Sequence, residues 1–256
     1  MKLLPLSAFS DNYIWMLHDG RQALVVDPGE SQPVCDALAR EGLALSAILV
    51  THHHGDHTGG VDALRQATGA IVHGPQRDPV QGPLQMYRDG DRIHWQGLTI
   101  EVIDVPGHTA GHIAFFVELP QAAPIVFCGD TLFSAGCGRL FEGTPQQMHA
   151  SLQRLSSLPD HTQVCCAHEY TLGNLKFACE VESDNQALTE YLAHCKALRA
   201  QGLPTLPSTI GREKAINPFL RTSVRSVIEA ACGHDAAHVA QHGVFATLRE
   251  WKNQYR

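Results

Sequence analysis

Residues 51–57 read Thr-His-His-His-Gly-Asp-His and follow directly on the apolar run Ala47-Ile48-Leu49-Val50. No other stretch restricts so tightly what this chain can fold into. His52, His54, Asp56 and His57 supply imidazole and carboxylate donors, a set suited to zinc, iron or manganese. Run 48–50 is short, β-branched and ends in polar residues, which predicts a buried strand feeding a loop. Alternate positions of an extended exit segment face the same way. His52 and His54 are therefore expected to reach one metal, while Asp56 and His57 turn toward a second and His53 points away. A purification tag would be terminal and homopolymeric; this cluster is internal, mixed with Asp and bounded by Gly.

The 256 residues suffice for one large domain, or for a domain with a smaller companion. A formal charge of −7 argues against nucleic acid as the main partner, since phosphate binding needs a basic face. It leaves room for a small anionic substrate met by a few local Arg and Lys. No stretch approaches the roughly 20 apolar residues of a membrane span. The start Met1-Lys2-Leu3-Leu4-Pro5 meets a proline and then Ser10, Asp11 and Asn12, too early for a secretory signal. The expectation is a cytoplasmic protein with no membrane partner. The 8 Cys contain no Cys-x-x-Cys pair, and are expected as reduced, buried thiols; vicinal Cys165 and Cys166 should point to opposite faces of a strand.

The first two thirds read as strands with interspersed helices. Segments 14–17 and 23–26 form a hairpin around Asp19-Gly20; 31–39 and 60–67 are helical in pattern. Further strands are expected at 71–72, at 99–105 after a turn at 95–98, and at 113–117, 125–128 and 164–166. After about residue 170 helices take over: 184–200 with Asp184 as N-cap and Gly202 and Pro204 closing it, then 221–231 and 236–251, with no convincing strand.

Three more ligand candidates stand after strand-like runs: His108 in Pro-Gly-His, Asp130 in Cys-Gly-Asp, and His168 in Cys-Ala-His. The recurring design is a buried strand, a small residue that permits close backbone approach, then a ligand. Seven ligands, five His and two Asp, suit two metals. His52, His54 and His108 are assigned to one, Asp56, His57 and His168 to the other. Asp130 lies between them, with a water or hydroxide completing the bridge.

The His-x-His-x-Asp-His motif followed by His108, Asp130 and His168 resembles the metallo-β-lactamase superfamily. More narrowly the chain is similar to the glyoxalase II family of hydroxyacylglutathione hydrolases. The resemblance is carried by 11–15 (DNYIW), 51–60, 106–112, 129–143 (GDTLFSAGCGRLFEG), 167–177 (AHEYTLGNLKF), 217–221 (NPFLR) and 248–255. It implies an α+β fold: an αββα metallo-β-lactamase sandwich over residues 1–170, with an α-helical substrate-binding domain over 171–256. It implies two divalent metals, zinc first with iron or manganese as alternatives, and a bridging hydroxide.

The implied reaction is hydrolysis of the thioester S-D-lactoylglutathione to D-lactate and glutathione, the second step of methylglyoxal detoxification, by a monomer. Asp56 and Asp130 would be the catalytic carboxylates, Asp56 orienting the hydroxide. By the same resemblance Arg139, Arg249 and Lys252 hold the glycine carboxylate of glutathione and Tyr170 adds a hydroxyl. Some relatives carry Lys in place of Arg139 and Tyr in place of Phe141. Arg keeps the charge and can bind carboxylate bidentately; Phe141 lacks a hydroxyl, so a modest loss of affinity is expected. His112 could support a ligand or cap a strand; His18, His73, His94, His149, His161, His194, His234, His238 and His242 are expected at the surface or in loops. A persulfide dioxygenase on a related scaffold would need one iron and not the full set Asp56, His57 and His168. An exported β-lactamase would carry a signal peptide and lack the helical extension.

Overall fold

The computed structural model describes residues 1–255. The chain opens with β1 (Lys2–Ala8), β2 (Asn12–His18), β3 (Gln22–Val26), α1 (Gln32–Glu41) and β4 (Ala44–Leu49). Then come α2 (Gly55–Thr58), α3 (Val61–Thr68), β5 (Ile71–Pro75) and β6 (Gln85–Tyr87). Strands β7 (Arg92–Trp95), β8 (Leu98–Asp104), β9 (Ile113–Val117) and β10 (Ile125–Gly129) follow, with the short pair β11 (Leu132–Phe133) and β12 (Gly136–Cys137). Helix α4 (Pro145–Ser156) and β13 (Gln163–Cys166) lead into the helical region. That region comprises α5 (Thr171–Val181), α6 (Gln186–Ala200), β14 (Ser208–Thr209), α7 (Ile210–Ile216) and α8 (Arg225–Gln254). Among the described residues, β1 to β6 form one six-stranded sheet in chain order, and a second runs β14-β13-β10-β9-β8-β7.

Side-chain alternation explains the layering. In β2, Trp15 and Leu17 face the second sheet, joining Ile100, Val102, Phe115 and Phe127 in one core. Ile14 and Met16 face the other way, onto Val34 and Ala37 of α1 and Val61 and Leu64 of α3. Strand β4 divides likewise: Ala47 and Leu49 inward, Ile48 outward. A strand covered on both faces reads as a continuous apolar run, which is why these segments stood out. The core of Trp15, Leu17 and the second sheet also takes in Met148, Leu152 and Leu155 of α4. The architecture is the αββα sandwich with a helical C-terminal region.

Several local expectations are corrected. Strands β1, β6, β7 and the short pairs β11, β12 and β14 were not expected, nor were helices α2, α4, α5 and α7. The N-cap of α6 is Asn185, whose side chain accepts from the Ala187 amide, rather than Asp184. Residues 221–224 precede α8; the expected break between 231 and 236 is present as a kink at Asp235 (φ −155°), and the backbone leaves helical values again at Gly243. His18 and His73 are buried within β2 and β5, not on the surface. All eight cysteines are free, and Cys128, Cys165 and Cys166 are buried.

Candidate metal centre

The strand ends of both sheets converge on one edge. The Tyr13 amide donates to the Ala167 carbonyl (2.7 Å) and the Ile113 amide to the Thr51 carbonyl (3.0 Å), tying the start of β2 to the exit of β13 and the start of β9 to the exit of β4. His52 and His54 follow the exit of β4, across a bend at 51–52, with His54 extended at ψ 145°. The single turn α2 then swings Asp56 and His57 round. Gly29 faces that turn so closely that a Cβ there would stand 1.9 Å from the Asp56 carbonyl oxygen. Gly129, just before Asp130, has φ +49°, and a Cβ would meet the Thr51 hydroxyl and the His112 ring; a side chain is excluded both by backbone conformation and by space.

His52 Nε2 lies 3.1 Å and His108 Nε2 3.0 Å from His54 Nδ1. In the neighbouring group Asp56 Oδ2 lies 3.4 Å from His57 Nε2 and 3.5 Å from His168 Nε2. Asp130 stands between: Oδ1 is 3.5 Å from His57 Nε2 and 3.3 Å from His168 Nε2, and Oδ2 is 3.4 Å from His108 Nε2. Donors around a tetrahedral ion with bonds of roughly 2.1 Å stand about 3.4 Å apart, so this spacing is what shared cations require. His57 Nε2 and Asp130 Oδ1 are buried without a hydrogen-bond partner among the described residues, an arrangement that is costly unless something else satisfies them.

The outer ring nitrogens are occupied, which aims the inner ones. His57 Nδ1 meets Asp27 (3.1 Å), His168 Nδ1 meets Asp11 (2.8 Å), and His108 Nδ1 donates to the Arg139 carbonyl (2.9 Å). His52 Nδ1 faces the Thr51 hydroxyl, itself bonded to Asp27. Such partners fix tautomer and ring orientation in metal sites. His112 supports rather than caps: its ring stacks on His52 (4.6 Å between centroids) and its Nε2 accepts from the Asp130 amide.

The electrostatics divide along the same line. Burial pushes the His52 imidazole well below its ordinary range, with His57 adding to the fall; burial also lowers His108. Burial acts to depress His57 too, but the carboxylates of Asp130, Asp27 and Asp56 outweigh it and raise it well above. Burial alone would raise Asp130, yet His57 and His168 hold it well below. Three carboxylates around one enclosed imidazole demand positive charge there, and a divalent cation can replace the proton. The donor set and its spacing fit metal.

Sequence reasoning missed Asp78. Its Oδ2 accepts from the His53 amide, His53 Nδ1 and the Thr109 hydroxyl, and its Oδ1 from the Gly111 amide. One buried carboxylate thus ties the loop of His52 and His54 to that of His108. His53, as expected, turns away from the cluster, toward Asp78 and Glu142.

Beside the donors opens a cleft of 680 Å³, lined by His108, Asp130, Phe133, Cys137, Arg139, Phe141, Tyr170, Arg249, Lys252 and Tyr255 among others. That volume suits a small organic ligand. Arg139 is exposed at its wall, Phe141 is 64% exposed, and Tyr170 stacks flat on His168 at 4.7 Å. The Phe141 ring meets His54 and His108 edge-on. Lys252 is half-buried and its ammonium lowered, by burial first and then by Arg249, Arg139 and Lys176, so positive charge accumulates in this corner of an acidic chain. Arg249 differs from expectation in its surroundings: it is 5% exposed and its Nη1 donates to the Cys137 carbonyl at 2.9 Å.

The metallo-β-lactamase superfamily matches residues 9–168 and the hydroxyacylglutathione hydrolase C-terminus matches residues 169–255. A hydroxyacylglutathione hydrolase from Albidiferax ferrireducens is 61% identical over 100% of both chains, and one from Cupriavidus taiwanensis 51% identical over 100% of both. Among solved structures, ETHE1 from Myxococcus xanthus superposes with a TM-score of 0.66 at 26% identity, covering 97% of this chain and 99% of that one. A di-iron-bound form of TTHA1623 gives 0.62 at 26%, covering 85% and 100%. With its C-terminal region matched by that family's own model and relatives of that family matched over the whole length, the chain belongs to the hydroxyacylglutathione hydrolases.

Proposed function

We propose that this chain is a binuclear metal hydrolase that cleaves S-D-lactoylglutathione to D-lactate and glutathione, the second step of methylglyoxal detoxification. The observation that carries the reading is one donor cluster of His52, His54, His108, Asp56, His57, His168 and Asp130 opening directly into a cleft with cationic walls. His52, His54 and His108 would hold one ion, Asp56, His57 and His168 the other, and Asp130 would touch both. Zinc suits the donors, and iron or manganese suit them too. Bound metals supply Lewis-acid polarisation of the thioester carbonyl and acidification of water.

The chain's own groups do the rest. The Asp56 carboxylate, 43% exposed, is held well below the usual range by His57, against its own burial, and so stays anionic. Asn12 Nδ2 orients it from 3.2 Å, leaving it free to accept a hydrogen bond from the attacking water. Water adds to the carbonyl carbon, the C–S bond breaks, and the sulfur departs as a thiolate. A thiol of pKa near 8.5 is a good leaving group, so no strong general acid is needed. Arg139 and Lys252 would meet a glutathione carboxylate, with Tyr170 lining the cleft between them and the donors. In this reading residues 1–170 carry the chemistry and 171–256 shape the substrate site. Among the described residues no helix is long and apolar enough to cross a membrane. We further propose a cytoplasmic monomer with no nucleic-acid partner, consistent with the charge of −7.

The test is loss of S-D-lactoylglutathione thioester absorbance on adding metal-reconstituted protein, beside a chelated sample and Asp130→Ala. The expected result is rapid hydrolysis that both controls reduce by at least about 100-fold, since both remove the metal chemistry. No turnover by folded, metal-replete protein would overturn the assignment.

A further inference from the structure

The loop from Thr131 to Arg139 begins beside Asp130 and ends at a cationic wall of the cleft, and groups of the helical region grip it throughout. Glu213 of α7, fully buried, accepts at Oε2 from the Ala135 amide (2.7 Å) and at Oε1 from the hydroxyls of Ser134 (2.9 Å) and Ser208. One turn on, Asn217 Nδ2 donates to the carbonyls of Phe133 (3.1 Å) and Gly136 (2.9 Å), and also to Glu213. Asn174 of α5 donates to the Ser134 carbonyl (3.1 Å), and Arg249 of α8 to that of Cys137. Ala135 adopts φ +54°, a conformation a residue with a Cβ keeps only when its surroundings hold it there. Its side chain is packed in the core of α5, α6 and α7 with Leu175, Leu188 and Ile216. The same loop presents Arg139, whose carbonyl accepts from His108 Nδ1. A buried carboxylate with several donors on one loop is a more specific arrangement than apolar packing needs, since each donor requires its own geometry.

We propose that Glu213 is a positioning residue for substrate binding: it locks the 131–139 loop in the shape that points Arg139 into the cleft, and thereby couples the helical region to affinity for the glutathione part of the substrate. This deepens the thioesterase reading and rests on it. Glu213 touches neither substrate nor metal donors. A fault here therefore registers first in binding: the donor cluster keeps its anchors on Asp27, Asp11 and His112, and of its outer bonds only that of His108 to the Arg139 carbonyl lies on this loop.

The experiment uses the full-length, metal-reconstituted chain and compares wild type with Glu213→Gln and Ser134→Ala. Three quantities are read: amide hydrogen exchange across 131–139 without ligand, calorimetric affinity for the unreactive thioether S-methylglutathione, and KM and kcat for S-D-lactoylglutathione. Glu213→Gln is expected to speed exchange at 134–136 at least about tenfold. It is expected to weaken S-methylglutathione and raise KM at least about fivefold, with kcat and metal content within about twofold of wild type. Ser134→Ala removes one donor from the loop side alone and should move the same quantities in the same direction by less, so a poorly folded Glu213→Gln does not end the test. Unchanged loop exchange overturns the proposal, and so does faster exchange with unchanged affinity, because Glu213 would then only be holding helices together. A wild-type chain that binds no S-methylglutathione and hydrolyses no thioester overturns the functional reading itself. Wild type that binds and turns over normally beside an equally competent Glu213→Gln overturns only this proposal.

Discussion

Asp78 shows how a residue remote from chemistry sets the geometry of a site. It is 7% exposed and fixes His53 and Thr109, each the immediate neighbour of proposed ligands. Asn at this position would keep the volume but lose the charge, and would turn one acceptor into a donor facing N–H groups. Asp78→Asn is therefore expected to weaken metal binding about 10- to 100-fold, in the range for groups that orient metal ligands. Titration of the variant against a chromophoric chelator reads this directly, and saturating metal should restore most of the activity. Wild-type affinity in the variant would mean that backbone bonds alone hold these loops. The proposed ligands were picked out because they recur in one local pattern, strand then small residue then donor, and the structure brings them into one cluster. Asp78 was not legible: an isolated Asp between Arg77 and Pro79 carries no spacing signal, and its partners come from 25 to 33 positions away. Arg249 was singled out only by the resemblance, and its bond to the Cys137 carbonyl depends on a tertiary contact that no sequence pattern announces.

At the scale of elements, legibility followed burial. Strands covered on both faces, such as β2, β4 and β10, announced themselves as apolar runs. Strand β6, with two exposed residues in three, and the two-residue β14 did not. Helix α4 had a local signal in its Thr144-Pro145-Gln146-Gln147 start; the Thr144 side chain accepts from the Gln147 amide and the Gln147 side chain from the Thr144 amide, a reciprocal cap readable in sequence. Burial within an element also has a titration consequence. His73 in β5 meets the Tyr87 hydroxyl at 3.0 Å, and burial pushes its imidazole from 6.5 down to about 4. Above pH 6.5 the folded and unfolded chains are both neutral at this ring. Below it the unfolded chain takes up a proton that the folded chain refuses, so stability is lost as pH falls from 6.5 through 4. Between about pH 7.5 and pH 5 the loss from this group is about 2 kcal/mol. Urea unfolding of chelated protein should show His73→Gln losing about that much less than wild type over the interval. Parallel pH profiles for the two proteins would mean that the ring exchanges protons freely in the fold.

The whole molecule is arranged so that its two sheets meet at the proposed metals. His52, His54, Asp56 and His57 follow β4 of one sheet; His108, Asp130 and His168 follow β8, β10 and β13 of the other. Each proposed ion would therefore take donors from both sheets, with Asp130 joining the two groups. The helical region is bound into the same unit, through β14 paired with β13 and through Glu213 and Asn217 on the loop after Asp130. The pairing of β14 was invisible in sequence because two residues carry no periodicity. A cation that binds only this assembled arrangement stabilises it by mass action: free metal at about 1,000 times its dissociation constant contributes about 4 kcal/mol. For a chain of this length each kcal/mol moves the midpoint by roughly 2–4 °C, so losing one metal should lower Tm by roughly 8–16 °C and stripping both by roughly twice that. Re-adding zinc should restore it. Asp130→Ala, lacking the carboxylate that faces both groups, should respond to zinc with a smaller shift than wild type. If chelation left the wild-type Tm unmoved, the hydrogen bonds accepted by Asp27, Asp11, Asp78 and the Arg139 carbonyl would be holding the sheet edge without help, and the metals would serve chemistry alone.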